Sequence, residues 1–522
     1  MSVHRPPTQS ELVVQALRRF PDRVAFRQGG KSLSYAGLAD ALARWLTVLR
    51  EHGIGPGGRV GLLSLNRPEV WLAQVAPGLL DASYTALHPA GSFSDHLFIC
   101  DDAELTVLIV DPAFADRAAE LAAKSATLTH VLTLGPSDLG SDLLVLADRA
   151  APSVLEPSAD PESTTWLLYT GGTTGLPKGV HLSQRALAAQ ALNLATGWDL
   201  PRERRYLSVA PISHASGLPI LPTLLAGGTT VLMTKWDPEE WLRTVADERV
   251  TMSFLVPTMI YSLLDTEGVE AADRSSLEAI VYGASPMSPA RLREGIARLG
   301  GVFTQMWGQT ESTGTGTTLW RSQHDVSDTP EAAERLTSCG QATPGVTIAV
   351  LDPDGQPVEP GEIGELCLRG PSVMTGYHNQ PELTEQAFAH GWLHTGDVGR
   401  VDSAGFAYIV DRLKDLIITG GYNVYPTELE KVISAHPAVA QCAVIGVPDT
   451  KWGEAVKAVV VVRSGMAVGP ETLIDLVRQE KGSVQAPKSV DFVDAIPVTG
   501  VGKPDKKTLR ARYWADHDRA VN

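Results

Sequence analysis

Cysteine is scarce in this chain of 522 residues: Cys100, Cys339, Cys367 and Cys442 lie far apart and form no CxxC pair. That spacing speaks against a disulfide framework or a zinc ribbon and fits a reducing compartment. Basic charge is also in short supply. Forty-four Lys and Arg against 60 Asp and Glu give a formal net charge of −16, which argues against a general nucleic-acid binder with its basic face. Anionic small ligands stay open, because a few local cations and backbone N–H groups hold phosphates on an acidic protein. Long apolar runs are missing too. No stretch is apolar enough to span a bilayer, and Met1 to Phe20 carry charges throughout with no apolar segment before small residues. The expectation is a cytoplasmic protein with no transmembrane segment and no nucleic-acid partner.

What is present is ample material for a core: 43% hydrophobic and 20% charged residues, in a chain long enough for two or more domains. Short apolar runs alternate with amphipathic segments, the rhythm of α/β architecture. Arg59 to Leu65, Leu105 to Val110, His130 to Leu134, Thr164 to Thr170, Arg205 to Ala210, Met252 to Val256, Leu277 to Tyr282 and Val302 to Met306 read as strands. Trp45 to Leu49, Ala186 to Ala195 and Glu239 to Glu248 carry helical patterns. From Val346 the texture changes to shorter strands and tight turns, with Thr347 to Leu351, Glu365 to Arg369 and Phe406 to Val410 as a small β-rich part. A compact module follows, with helices at Pro426 to Ala435 and Glu471 to Glu480 and strands at Ala440 to Val447, Val456 to Val462 and Val490 to Phe492. The boundary is placed between 411 and 412.

One segment carries chemistry on its face: Tyr169-Thr170-Gly171-Gly172-Thr173-Thr174-Gly175-Leu176-Pro177-Lys178-Gly179. Its glycines let backbone N–H groups converge into an anion-binding nest. Its threonines add hydroxyl donors, and Lys178 adds a charge able to meet a triphosphate. No GxxxxGK[ST] spacing is present, so it is not a Walker A loop. A glycine-rich hairpin of no chemical use is the plain alternative, and the joint presence of Pro-Lys-Gly and three hydroxyls weighs against it.

This loop resembles the signature of the adenylate-forming superfamily of acyl- and aryl-CoA synthetases, peptide-synthetase adenylation domains and beetle luciferases. The commoner form has Ser where Gly171 stands. Further motifs follow in the family's order. Tyr282-Gly283-Ala284-Ser285-Pro286 resembles the loop lining the adenine and acyl pocket, and Gln305-Met306-Trp307-Gly308-Gln309-Thr310-Glu311 the aromatic-Gly-x-Thr-Glu motif. The resemblance implies that Trp307 stacks on adenine, that Thr310 meets the α-phosphate and that Glu311 holds Mg²⁺. Asp397 of Trp392-Leu393-His394-Thr395-Gly396-Asp397 resembles the carboxylate that binds the ribose hydroxyls, with Arg412 on the same sugar and Lys414 as the hinge of a mobile domain. Gly420 and Gly421 resemble the strip lining the pantetheine channel. Lys503 of Thr499-Gly500-Val501-Gly502-Lys503 resembles the lysine that neutralises the transition state at the α-phosphorus. Each of these residues alone would more often be a core residue, a turn or a solvated charge; the joint order makes the functional reading.

The implied fold is α/β: a large N-terminal adenylation domain over 1–411, of two α/β subdomains plus the β-rich one, then a small mobile α+β C-terminal domain over 412–522. The implied reaction is two-step, with MgATP and the acid giving acyl-AMP and then the thiol of coenzyme A displacing AMP. His214 in Pro211-Ile212-Ser213-His214 is placed at the gate between acyl pocket and thiol channel, and Lys235 is a weaker candidate for a CoA phosphate. Gly308, small where acetate-specific relatives carry Trp, and the flexible Met306 point to an aryl, cinnamyl or medium-chain acid. An enzyme loading a carrier protein, a luciferase-like oxygenase and a non-catalytic nucleotide binder are the alternatives. The acid's identity is open, and so is assembly, a homodimer included.

Overall fold

The computed structural model describes residues 5–158, 160–170, 176–420, 422–497 and 504–514. The chain divides into two compact units, Met1–Ile348 with Leu368–Leu393, and Ala349–Cys367 with His394–Asn522. Among the described residues no helix is long and apolar enough to cross a membrane.

In the first unit, four parallel strands lie side by side within a nine-stranded sheet: Arg205–Ser208, Met252–Leu255, Ala279–Gly283 and Phe303–Trp307. Their register runs Leu207↔Ser253, Phe254↔Val281 and Gly283↔Met306. Parallel neighbours need crossover connections, and helices that cover both faces make such strands almost wholly apolar. Met252–Leu255 and Ala279–Gly283 are accordingly buried at every position. The crossover helices Pro238–Asp247, Pro257–Leu264 and Pro289–Leu299 each start on proline, whose fixed φ suits the first turn. Trp241 is fully buried against this sheet and donates from Nε1 to Ser253 Oγ over 3.1 Å.

The eight-stranded sheet is built the same way from Arg59–Leu63, Ser83–Ala86, Val107–Val110 and His130–Thr133, all parallel. Thr164–Thr170 joins it beside Ser83–Ala86 and is followed by an antiparallel return strand, Lys178–Ser183, that sequence reading missed. A buried asparagine ties the two sheets. Asn66 Nδ2 donates to Ala210 O (2.9 Å) and Met233 O (3.0 Å), and its Oδ1 accepts from Ile212 N (2.9 Å). Gln74 Nε2 also donates to Ile212 O over 2.8 Å. A buried amide with its partners satisfied locks a loop in place, here the one that carries His214.

The second unit holds most of a four-stranded sheet of Thr347–Leu351, Gly364–Arg369, Leu393–Val401 and Ala407–Arg412. A five-stranded sheet follows, centred on the long antiparallel pair Val439–Asp449 and Gly453–Val462. Strand residues point to alternate faces, and the burial obeys that period. Val444, Val456, Ala458 and Val460 meet helices Pro426–Ser434 and Pro470–Lys481 through Leu429, Ile433, Leu473 and Val477. Ala443, Ile445, Val447 and Val459 meet Leu509 of the helix Lys506–Ala511. That helix is also held by ion pairs, Lys506 Nζ to Glu430 Oε1 and Arg510 Nη1 to Asp415 Oδ1, both 2.7 Å.

Candidate active site

The threonine-glycine motif is flanked by two strands that pair with each other. Thr164–Thr170 and Lys178–Ser183 pair antiparallel with Thr170 opposite Lys178, so both ends of the loop are fixed while Gly171, Gly172, Thr173, Thr174 and Gly175 lie outside the described residues. The short strand Gly376–Tyr377 pairs with the return strand, Tyr377 opposite Val180. This brings the Tyr377 ring to 5.9 Å from Lys178 Nζ, and the Tyr377 hydroxyl donates to Glu311 Oε1 over 2.9 Å. Burial first, then the Glu311 charge and this hydrogen bond, push the phenol well above its ordinary value and keep it a donor. Met374 N donates to Glu311 O over 2.8 Å. Tyr377 thus stands between the two groups that the motifs single out, and sequence reading missed it; nothing in Gly376-Tyr377-His378-Asn379 marks it beyond a turn.

His378 fixes this strand. Its N–H donates to Gly179 O over 2.8 Å, and a Cβ on Gly179 would stand 2.9 Å from His378 Cβ. The last glycine of the motif is therefore a close-approach glycine. His378 Nδ1 lies 3.0 Å from His181 Nε2, and His378 Nε2 lies 2.9 Å from Asp102 O. Burial, His378 and Arg59 push His181 down to about 4.

Thr310 and Glu311 sit in the one-turn helix Thr310–Ser312 just after the strand Phe303–Trp307, both half-buried. A Cβ on Gly308 would come within 2.5 Å of Gly314 C, so glycine is required there by the returning backbone. The smallness of Gly308 consequently has a packing cause beside any effect on acyl length. Trp307 is 9% exposed, and a Cβ on Gly316 would press its indole at 2.7 Å. Gly283 is held just as tightly: a Cβ would meet Met306 O at 2.3 Å and Sδ at 2.6 Å. Ala284 follows with φ +64°, a left-handed position rare outside glycine and of the kind found at sites. Ser285 is half-buried beyond it.

His214 is solvent-exposed although protein lies close around its ring, with Ser213 Oγ 2.9 Å from Nδ1. A second imidazole, His88, stands edge-on to it with ring centroids 4.7 Å apart. The surrounding protein and, after it, His88 push His214 down, which favours its neutral form. His88 was not foreseen. Lys235 is exposed.

In the second unit, Asp397 is buried at 2% exposure and pairs with Arg412 Nε at 2.5 Å, the two residues facing each other across neighbouring strands. Lys414 lies in the short turn Leu413–Asp415 between strands. Gly420 has φ +57°, and a Cβ would meet the Trp452 ring at 2.6 Å. Gly421 and Lys503 lie outside the described residues.

Two family models match: AMP-binding enzyme over 13–378 and AMP-binding enzyme C-terminal domain over 428–503. This chain belongs to the AMP-binding enzyme family, among its acyl- and aryl-CoA synthetases. It is 44% identical to the medium/long-chain-fatty-acid–CoA ligase FadD8 of Mycobacterium tuberculosis, over 99% of this chain and 92% of that one. It is 37% identical to a feruloyl-CoA synthase of Amycolatopsis, over 96% and 98%. Among solved structures, the amide bond synthetase McbA of Marinactinospora thermotolerans superposes with a TM-score of 0.87 at 33% identity, over 97% of this chain and all of that one. The expected adenylate-forming architecture and acid–thiol ligase class hold, with ATP and a small carboxylic acid as substrates.

Proposed function

We propose that this ATP-dependent carboxylate–CoA ligase activates an aryl, cinnamyl or medium-chain acid as its acyl-adenylate and passes the acyl group to coenzyme A. The observation that carries the reading is the Lys178–Tyr377–Glu311 arrangement, which sets a cation and a carboxylate beside the paired strands that flank the threonine-glycine motif. Lys178 and the loop from Thr170 to Gly175 hold the phosphates, and Thr310 meets the α-phosphate. Gly283, Ala284, Ser285, Met306, Trp307 and Gly308 line the adenine and acyl side. Asp397 and Arg412 bind the ribose. The acid's carboxylate attacks the α-phosphorus, pyrophosphate leaves, and Lys503 neutralises the charge that builds there. The thiol then displaces AMP along the side lined by Gly420 and Gly421, with His214 at the gate. Lys414 is the hinge of a mobile segment that begins at 412.

Glu311 suits a hard divalent cation. Its carboxylate is half-buried, its Oε1 is met by a neutral phenol, and among the described residues no Lys or Arg pairs with it. Bound there, Mg²⁺ would neutralise phosphate charge. The reading also keeps the chain cytoplasmic.

The acid preference draws support from relatives named for medium- to long-chain fatty acids and for ferulate. Incubation with ATP, CoA and a panel of acids, with acyl-CoA quantified by mass spectrometry, tests it. Turnover of cinnamates or mid-length acids is expected; turnover of only acids beyond about C14 would overturn the assignment, since a pocket discriminates chain length through the added methylenes. A carrier-protein thiol or an amine as the preferred acceptor would move the enzyme to a different transfer class.

A further inference from the structure

Asp397 owes its orientation to a carboxylate on the neighbouring strand. Glu365, on Gly364–Arg369, uses both oxygens on the segment that ends at Asp397. Its Oε1 accepts from Gly396 N over 2.8 Å, and its Oε2 accepts from His394 Nδ1 over 2.7 Å. Between them, Thr395 Oγ1 donates to Leu366 O over 2.6 Å and accepts from Asp397 N over 3.1 Å. Residues 394 to 396 are thus gripped one after another by Glu365 and its neighbour Leu366, and Asp397 is tied back to Thr395.

The grip has a conformational purpose. Gly396 takes a left-handed bend, φ +70°, with nothing within 4 Å of its Cβ direction. The Glu365 bond to its N–H is a side-chain constraint on that bend. Rotation at this glycine would swing Asp397, which is buried and paired with Arg412 at 2.5 Å. Cys367 Sγ stands 3.6 Å from His394 Nδ1, a weak partner beside a carboxylate at 2.7 Å.

We infer that Glu365 is a positioning residue for nucleotide binding: it holds Gly396 and His394 so that the Asp397 carboxylate is presented to the ribose hydroxyls of ATP. The inference rests on the proposed ribose role of Asp397. Both Glu365 oxygens are engaged by Gly396 and His394, so its effect is expected in the affinity for nucleotides with intact hydroxyls.

The test compares KM and kcat for ATP and for 2′-deoxyATP in the wild type, Glu365→Asp, Glu365→Ala, Glu365→Gln, Asp397→Ala and the Glu365→Ala/Asp397→Ala double variant, with melting temperatures beside them. Loss of a charged hydrogen bond predicts that Glu365→Ala raises KM for ATP about tenfold and brings ATP and 2′-deoxyATP close together, with kcat little changed. Glu365→Asp, one methylene too short to reach both partners, shows the same shift. Glu365→Gln stays near wild type, because an amide accepts from Gly396 N and donates to the other tautomer of His394. The double variant is no worse than Asp397→Ala, as expected for residues acting in series. If Asp397→Ala loses the discrimination while Glu365→Ala and Glu365→Asp keep it, with only lower melting temperatures, the positioning role is overturned. If Asp397→Ala itself leaves KM and discrimination unchanged, the ribose reading falls, and this inference falls with it.

Discussion

Tyr377 donates its hydroxyl proton to Glu311 Oε1 over 2.9 Å while its ring lies 5.9 Å from the Lys178 ammonium. A single side chain therefore sets the carboxylate proposed for the divalent cation and touches the cation proposed for the phosphates. Tyr377→Phe keeps the ring and removes only the donor. A hydrogen bond to a charged group contributes about 1.5–3 kcal/mol, so the variant is expected to lose about tenfold or more in kcat/KM for MgATP. Acid-dependent ATP–pyrophosphate exchange over a range of Mg²⁺ concentrations reads this; an unchanged Mg²⁺ and ATP dependence would detach Tyr377 from the site.

The glycine at the end of the motif is predicted to act through packing. In Gly179→Ala the new Cβ meets His378 Cβ at 2.9 Å and Leu167 Cδ1 at 3.1 Å, and overpacking of this kind costs about 1–3 kcal/mol. Gly301→Ala is the control, since nothing lies within 4 Å of its Cβ direction and its φ is not left-handed. Urea melts should separate the two. Equal stability for both would show that the Gly376–Tyr377 strand gives way easily.

Much of the α/β framework was legible because buried parallel strands are short apolar runs bounded by turns. Thr164–Thr170 and Thr347–Leu351 match the expected limits, and Phe303–Trp307 is shifted by one residue. The return strand Lys178–Ser183 was not legible: Lys-Gly-Val-His-Leu-Ser is brief and runs straight into the helix Gln184–Gly197. The motif residues could be nominated because they cluster in sequence. Tyr377 stands 66 residues from Glu311, and His88 meets His214 from just past the end of a strand in a different sheet. Such partners are set by topology, which no local pattern carries.

Acid is predicted to destabilise the fold through buried neutral histidines. His324 is 7% exposed, held between Tyr282 Oη at Nε2 (3.0 Å) and Trp320 O at Nδ1 (2.8 Å). Burial pushes it down to about 4, and His181 likewise. In the unfolded chain a histidine titrates near about 6.5, so between that pH and about 4 the unfolded state binds protons that the native state refuses. Stability is full above the upper value and falls as pH drops through the window, by roughly 1.4 kcal/mol for each unit of pKa difference. Urea melts from pH 7 down to about 4.5 check the slope. His324→Gln should flatten it; an unaltered slope would place the protons elsewhere.

Gly420 should separate the two half-reactions. Alanine there is strained at φ +57° and collides with Trp452 at 2.6 Å, on the side proposed for the thiol. Gly420→Ala is expected to leave ATP–pyrophosphate exchange within about threefold and to lower acyl-CoA formation by more than about tenfold, a split that assigns the loss to one step. Parallel loss of both steps would mean that the strain spreads to the rest of the unit.

The central claim is that the carboxylate attacks the α-phosphorus. An acid labelled with ¹⁸O in its carboxylate, turned over with ATP and CoA, tests it directly, because the bridging oxygen stays with the phosphorus that it attacked. The account predicts one labelled oxygen in AMP and none in pyrophosphate. Label in inorganic phosphate, with ADP as the nucleotide product, would place the chemistry at the γ-phosphorus and contradict it.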